Sequence, residues 1–492
     1  MLFNSIEFAL FLPVVFAIYW LLRRNLRLQN LFVVIASYVF YGWWDWRFLI
    51  LIAFTSFCSW GSGLQSINIT HNTSDDSTPY TLHHTPKRLP KFWLTANIVL
   101  NLGILAIFKY YDFFVSSFAD LFGIDASRHL LNVILPVGIS FYTFQALSYS
   151  IDVYRGRIAP TKDPIAFFAY VAFFPQLVAG PIERATNLLP QFEKARTFDY
   201  QEAVNGCRRI LWGLFKKMVV ADNCATYVNR IWEDYSNQSG CALALAAILF
   251  AFQIYGDFSG YSDIAIGTSR LFGIRLRENF ITPYFSRSVA EFWKRWHISL
   301  NTWFVDYVYI PLGGSRNGQW NTIRNTFVIF LLSGLWHGAN WTFLAWGLYH
   351  ALLFVPLILM HRTRKYQDVA TWRQIPQIVL TFGLVVIGWI IFRAPTIADA
   401  WAYIQGMCQI GTIKALYRFF LPSELWVCPM NIYIIIMLMV EWCRRKKMHG
   451  LEGIELLPVF KYKAVRIILY ALCLTLIIFF RGGYEKFIYF QF

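Results

Sequence analysis

An imidazole stands in the middle of an apolar stretch at SGLWHGANW, residues 333–341, with NTFVIFLL before it and TFLAWGLYHALLF after it. The indole of Trp336 precedes His337 directly, and Trp341 follows four residues on. Histidine titrates near neutral pH and is the usual general base, so His337 is the first candidate for taking a proton from a hydroxyl. The plainer alternative is a buried neutral histidine that donates one hydrogen bond to a carbonyl. Three features argue beyond it. Gly334 and Gly338 bracket the residue and let another group approach closely, Asn340 adds a polar handle, and His297 occupies an equally aromatic setting in EFWKRWHISLNTW. On a continuous helix, His337 would share a face with Trp341, Leu344 and Leu348. His350 falls off that face and reads as structural.

The elements around His297 follow from spacing. Ser288 and Glu291 have capping-box spacing, which predicts a helix from Val289. On that helix Glu291 and Arg295 can pair, and Trp293 and His297 would share a face next to Trp296. The run WFVDYVYIPLGGSR is too short to span a membrane and contains Pro311, Gly313 and Gly314. It predicts a re-entrant or tilted piece, tolerated at membrane depth only where protein or a wet cavity satisfies its backbone. Asp257, Asp263 and Asp306 read either as structural braces or as groups that position His297 or a substrate. Lys294 and Arg295 either meet the phosphates of a ligand or mark a cytoplasmic edge. The chain has no GxSxG, Walker A or GxGxxG string, so neither a built-in serine nucleophile nor a nucleotide-phosphate loop is supported.

What must position these residues is a membrane domain. Of the 492 residues, 57% are hydrophobic and 15% charged; soluble domains carry roughly 25% charge. Apolar runs occur near 5–22, 31–44, 48–65, 92–111, 131–151, 203–221, 241–256, 325–345, 343–360, 376–393, 430–443 and 465–480. They predict an all-α polytopic fold of roughly 10–13 transmembrane and re-entrant helices. The first run lacks a basic leader and a cleavage site, so it is expected to remain as a helix. The chain reads as one domain, 1–492, with a polar loop at about 66–91 and a second break at 412–429.

The net charge of +16 comes from clusters beside apolar runs, among them Arg23–Arg27, Lys87–Lys91, Arg208, Arg209, Lys216, Lys217 and Arg444–Lys447. That is the positive-inside pattern, which puts the N-terminus outside and the clusters on the cytoplasmic face. Nucleic acid is not an expected partner. The eight cysteines form no CxxC and read as buried small apolar residues. His71, His83 and His84 read as solvated loop residues, and no metal site is expected.

The strings PVGISFYTFQALSYSIDVYRG, FFPQLVAGPIER, YGDFSGYSDIAIG, EFWKRWHISLNTWFVDYVYIPLGGSR and GLWHGANWTFLAWGLYH, in that order, resemble the membrane-bound O-acyltransferase family. Within it they most resemble the branch that acetylates alginate-like exopolysaccharides. The resemblance implies a ring of helices around a thinned centre with a funnel or tunnel. It maps the family's essential histidine onto His337 and the second family position onto His297, which would orient the acceptor or stabilise an oxyanion. Trp336, Asn340, Trp296, Arg295, Asp257 and Asp306 are then candidate substrate-binding residues.

The implied reaction moves an acetyl group from a cytoplasmic donor, acetyl-CoA, to an extracytoplasmic polysaccharide. A periplasmic or extracellular acetyl-transfer protein is the implied partner, a bacterial inner membrane the implied location, and no bound cofactor is implied. The alternatives are D-alanyl or peptidoglycan O-acyl transfer by the same fold, or a non-catalytic transporter or scaffold of a polysaccharide-export complex.

Overall fold

The computed structural model describes residues 1–66, 88–178, 180–363, 366, 368–409, 427–483 and 487–488. The described residues form helices and turns, with no strand among them. Most of the polar loop expected at 66–91, with its histidines, and most of the break expected at 412–429 lie outside the described residues. Each expected apolar run coincides with a helix, in two cases only in part. Helix Pro90–Phe122, Gly240–Leu271, Trp341–Leu359 and Trp372–Arg393 are long and apolar enough to cross a membrane, and Ile6–Leu21, Leu26–Gly42, Phe48–Leu64 and Met430–Cys443 are shorter apolar helices.

The chain forms two compact units. The first comprises Met1–Ala203 and Thr268–Arg277. Its first two helices start where short polar side chains cap them: Ser5 accepts from Phe8 N–H and Asn25 from Leu28 N–H. Buried polar groups tie its helices together: Asn97 donates to Ser150 Oγ at 2.9 Å, and buried Arg196 donates to Gln29 and Asn30. The run expected as helix from 131 begins only at Ile139. Gly138, at φ 76°, turns the chain into it, and a Cβ there would stand 2.7 Å from the Leu177 carbonyl.

The second unit, Val204–Gly267 and Glu278–Phe492, carries both candidate histidines. Helix Tyr200–Leu214, prolonged by a π-turn at Phe215–Ala221, packs on helix Gly240–Leu271. The contact is backbone on backbone. A Cβ on Gly213 would meet the Gly260 carbonyl at 2.6 Å, and one on Gly260 would meet that of Gly213 at 2.7 Å. Gly256 and Gly260 form the small-residue spacing that favours such approach in lipid.

Arg209, Lys216 and Lys217, expected among the charges of the cytoplasmic face, are buried beside this seam rather than exposed. Arg209 pairs with Asp263 at 2.8 Å and with Glu278, Lys216 with Asp263 at 2.7 Å, and Lys217 with Asp222 at 2.7 Å and Asp257 at 2.8 Å. A cation in this position is tolerable because a carboxylate on a neighbouring element meets it. The cysteine expectation is also corrected. None of the described ones is joined in a disulfide, yet Cys224 is buried while Cys207, Cys408 and Cys443 are exposed. A thiol is apolar enough to face lipid as well as protein.

Candidate functional site

His337 is the last residue of helix Gly318–His337. Gly338 is extended, and the chain re-enters a helix at Trp341–Leu359. The expected continuous helix through 341 is therefore broken, and His337 does not share a face with Trp341. Trp341 is 54% exposed, whereas His337 is 4% exposed. Two glycines allow the two helices to close as a hairpin. A Cβ on Gly334 would lie 2.3 Å from the Phe343 carbonyl, and one on Gly347 would lie 2.4 Å from that of Phe330. The close approach expected from the bracketing glycines is thus made by the next helix. It brings Trp346 to 5.2 Å from the His337 ring, alongside Trp336 at 5.0 Å and Phe392 at 5.3 Å. All three contacts are edge-on, the geometry aromatic quadrupoles favour.

Asn340 is the cap of the second helix. Its side chain accepts from Thr342 N–H at 3.0 Å and donates to the Pro395 carbonyl at 3.0 Å. Its polar atoms brace the turn between the helices. His350 lies buried on the same helix and accepts from the Trp293 indole at 3.3 Å, as a structural histidine would.

His297 is reached differently. Ser288 caps helix Val289–Arg295 and accepts from Glu291 N–H, as the spacing predicts. The Glu291 carboxylate turns to Arg287, accepting from its backbone N–H at 2.8 Å, and also pairs with Arg295 at 2.9 Å. The helix then stops at Arg295. Trp296 is extended and His297 is left-handed, at φ 45°, before a second short helix, Ile298–Phe304. The expectation that Trp293 and His297 share one helical face is overturned by this break. Each of these helices has seven residues, about 10 Å of rise, far short of a span.

A left-handed non-glycine residue costs on the order of 1–3 kcal/mol and persists only where its surroundings hold it. Here Asn301 donates to the carbonyls of Trp293 at 2.6 Å and Trp296 at 2.7 Å, which the break would otherwise leave exposed. Asn279 holds the other side: its carbonyl accepts from Ile298 N–H at 2.9 Å, and its side-chain oxygen lies 3.1 Å from His297 Nδ1.

The two histidines meet on one indole. The His297 ring is 5.7 Å from Trp336, and Trp336 is 5.0 Å from His337. Phe258 closes the far side of His297 at 4.7 Å. A cavity of about 490 Å³ runs alongside. Its wall includes Lys294, Asn301, Ile298 next to His297, and Ser333 one helical turn before His337.

Among the other sequence candidates, Trp296 is buried among Phe280, Phe292 and Trp389 at 4.9–5.5 Å and forms core. Asp257 is engaged by Lys217 and by Ile488 N–H at 2.6 Å. Arg295 pairs with Glu291. Asp306 lies half-buried on the π-turn Val305–Tyr309. Lys294 donates to the Thr363 carbonyl at 2.9 Å. Sequence reasoning missed Asn279, Asn301, Trp346 and Phe392. An asparagine in the largely apolar NFITPYF was the one signal for Asn279; Trp346 is brought in by the helix hairpin and Phe392 by a third helix, Ile375–Arg393.

A helical membrane chain with two buried imidazoles on one tryptophan defines a class, and comparison with known proteins gives it a family. A model described as membrane-bound O-acyltransferase family matches residues 157–394, a span holding His297, His337 and Asn279. The "probable alginate O-acetylase" of Pseudomonas aeruginosa is 41% identical over 418 residues, covering 84% of this chain and 76% of that one. The peptidoglycan O-acetyltransferase of Helicobacter pylori is 31% identical over 495 residues, covering 91% and 90%. The teichoic acid D-alanyltransferase of Bacillus subtilis is 30% identical over 278 residues, covering 53% and 69%. This chain belongs to the membrane-bound O-acyltransferase family. It is a multi-pass membrane O-acyltransferase whose acyl donor is a substrate rather than a resident cofactor.

Proposed function

We propose that this chain moves an acetyl group from cytoplasmic acetyl-CoA to hydroxyls of an extracytoplasmic polysaccharide, an alginate-like exopolysaccharide, in the inner membrane of a bacterium with the N-terminus outside. A periplasmic or extracellular acetyl-transfer protein is its expected partner. The observation that carries the reading is the pair of imidazoles on Trp336 inside the family-matched span. A thioester is a good electrophile, but a sugar hydroxyl is a poor nucleophile until a base removes its proton. His337 is that base, worth about 10²–10⁴-fold. The hydroxyl oxygen bonds to the acetyl carbon, the carbon–sulfur bond breaks, and the proton passes from the imidazole to the departing thiolate. His297 holds the acceptor. The cavity from Lys294 to Ser333 is our candidate for the donor's acyl-bearing arm. The acetyl assignment rests on the higher identity to the alginate O-acetylase.

Peptidoglycan is the second reading for the acceptor, favoured by the longer coverage of the Helicobacter pylori relative. Mass spectrometry of envelope glycans from a deletion strain and its parent decides between them. Loss of acetyl groups from an exopolysaccharide supports the first reading, and loss from peptidoglycan alone replaces it. An unchanged glycan profile defeats both.

A further inference from the structure

Asn279 lies in the segment between helix Gly240–Leu271 and helix Val289–Arg295. Its side-chain oxygen accepts from the backbone N–H of Ser299 at 3.3 Å and from Ser299 Oγ at 2.9 Å. A backbone N–H can only donate, so the amide atom facing it is oxygen. The amide NH₂ then donates to Ser262 Oγ at 3.1 Å. The same oxygen lies 3.1 Å from His297 Nδ1. An amide oxygen pairs with a ring nitrogen only if that nitrogen carries hydrogen. A neutral imidazole has one N–H, so the lone pair is on Nε2.

We infer that Asn279 is a positioning residue: it holds His297 as the Nδ1–H tautomer, so that Nε2 accepts a hydrogen bond from a hydroxyl of the acceptor sugar. The role of Nε2 rests on the acceptor reading above; the tautomer does not. A neutral imidazole with its lone pair on Nε2 has no proton there to offer an oxyanion. Of the two roles open to His297, orienting the acceptor is therefore the one the geometry favours. A polysaccharide carries many hydroxyls, so one can be held by His297 while another meets His337.

Phe258, Phe280 and Trp336 surround the His297 ring, and the titratable group across Trp336 is His337. On its other side, Asn279 lines a polar cavity of about 20 Å³, shared with Arg209, Lys216, Asp263 and Glu441, roughly the room one water needs. A neutral amide here keeps the imidazole apart from those charges while fixing its proton.

The test uses the full chain in liposomes, acetyl-CoA as donor and a deacetylated alginate oligosaccharide as acceptor, with thiol release and O-acetyl formation followed across pH. Asn279→Ala should lower kcat/KM for the oligosaccharide by about 10–100-fold, the cost that outer partners carry at metal-bound histidines, with KM for acetyl-CoA unchanged. Asn279→Asp still accepts from Nδ1–H and should keep most activity. Its carboxylate stabilises the imidazolium, so activity should appear at higher pH than in the wild type. An Asn279→Ala variant equal to wild type overturns the inference. So does a loss shared by both substrates that Asp fails to rescue, or an Asp variant whose pH profile is unmoved. The tautomer is read without any acceptor from ¹⁵N-histidine resonances of the wild type. Protonated Nδ1 at His297 supports the inference and protonated Nε2 overturns it. A wild type that acetylates a peptidoglycan fragment in place of the oligosaccharide while showing protonated Nδ1 condemns the acceptor reading alone.

Discussion

His337 and His297 reach the same indole by opposite means. His337 ends a 20-residue helix and is held by shape: glycines that admit the neighbouring helix, and rings that box the imidazole. His297 follows a helix of seven residues, sits in a left-handed conformation, and is held by hydrogen bonds from Asn301 to the freed carbonyls and by Asn279 to its own ring. The difference shows how a site with a rigid and a strained half is built inside lipid. Steric support of this kind suits apolar surroundings. A broken backbone exposes carbonyls, so the break is stable only where asparagines satisfy them.

Four substitutions sharpen that contrast, taken from the largest expected effect down. His337→Ala should cut acyl transfer by about 10²–10⁴-fold while the protein still inserts in the membrane. Transfer assays beside a membrane-fractionation control check this; retained activity would remove His337 as the base. Gly334→Ala places a methyl group 2.3 Å from the Phe343 carbonyl. The hairpin must open, costing about 1–3 kcal/mol, seen as a lower melting temperature together with lost turnover. Asn301→Ala strips the partner from two carbonyls and should destabilise by about 1–3 kcal/mol. Because it acts on the break, kcat should fall while hairpin packing, read from tryptophan emission, stays as in the wild type. Trp341→Phe should change neither stability nor turnover measurably, since that indole faces outward. A large loss there would mean that the helix does not break after His337.

This ordering also marks what could be read in the chain. Periodicity and apolar length located the helices, because burial in lipid demands long apolar runs. The capping serine at 288 and the Glu291–Arg295 pair follow from local spacing alone. The left-handed turn at His297 does not: the helical pattern EFWKRWHISL continues through it, and what ends the helix is a long-range hydrogen bond to Asn279. The hairpin break at Gly338 was masked in the same way by apolar residues on both sides. Both histidines were legible as candidates from their aromatic settings, and His337 also from the glycines that bracket it. Their shared contact with Trp336 was not, since it depends on where two breaks bring the chain. The buried cations at 209, 216 and 217 look like surface charges because their carboxylate partners are remote in sequence.

The central claim is that the two imidazoles act as one site, and a double-mutant cycle on acyl transfer tests it most directly. If His337 and His297 serve one reacting group, the His337→Ala/His297→Ala double variant should be no slower than His337→Ala alone, because residues that act as a unit are strongly non-additive. If the two losses multiply, the histidines work independently and the shared site on Trp336 is contradicted.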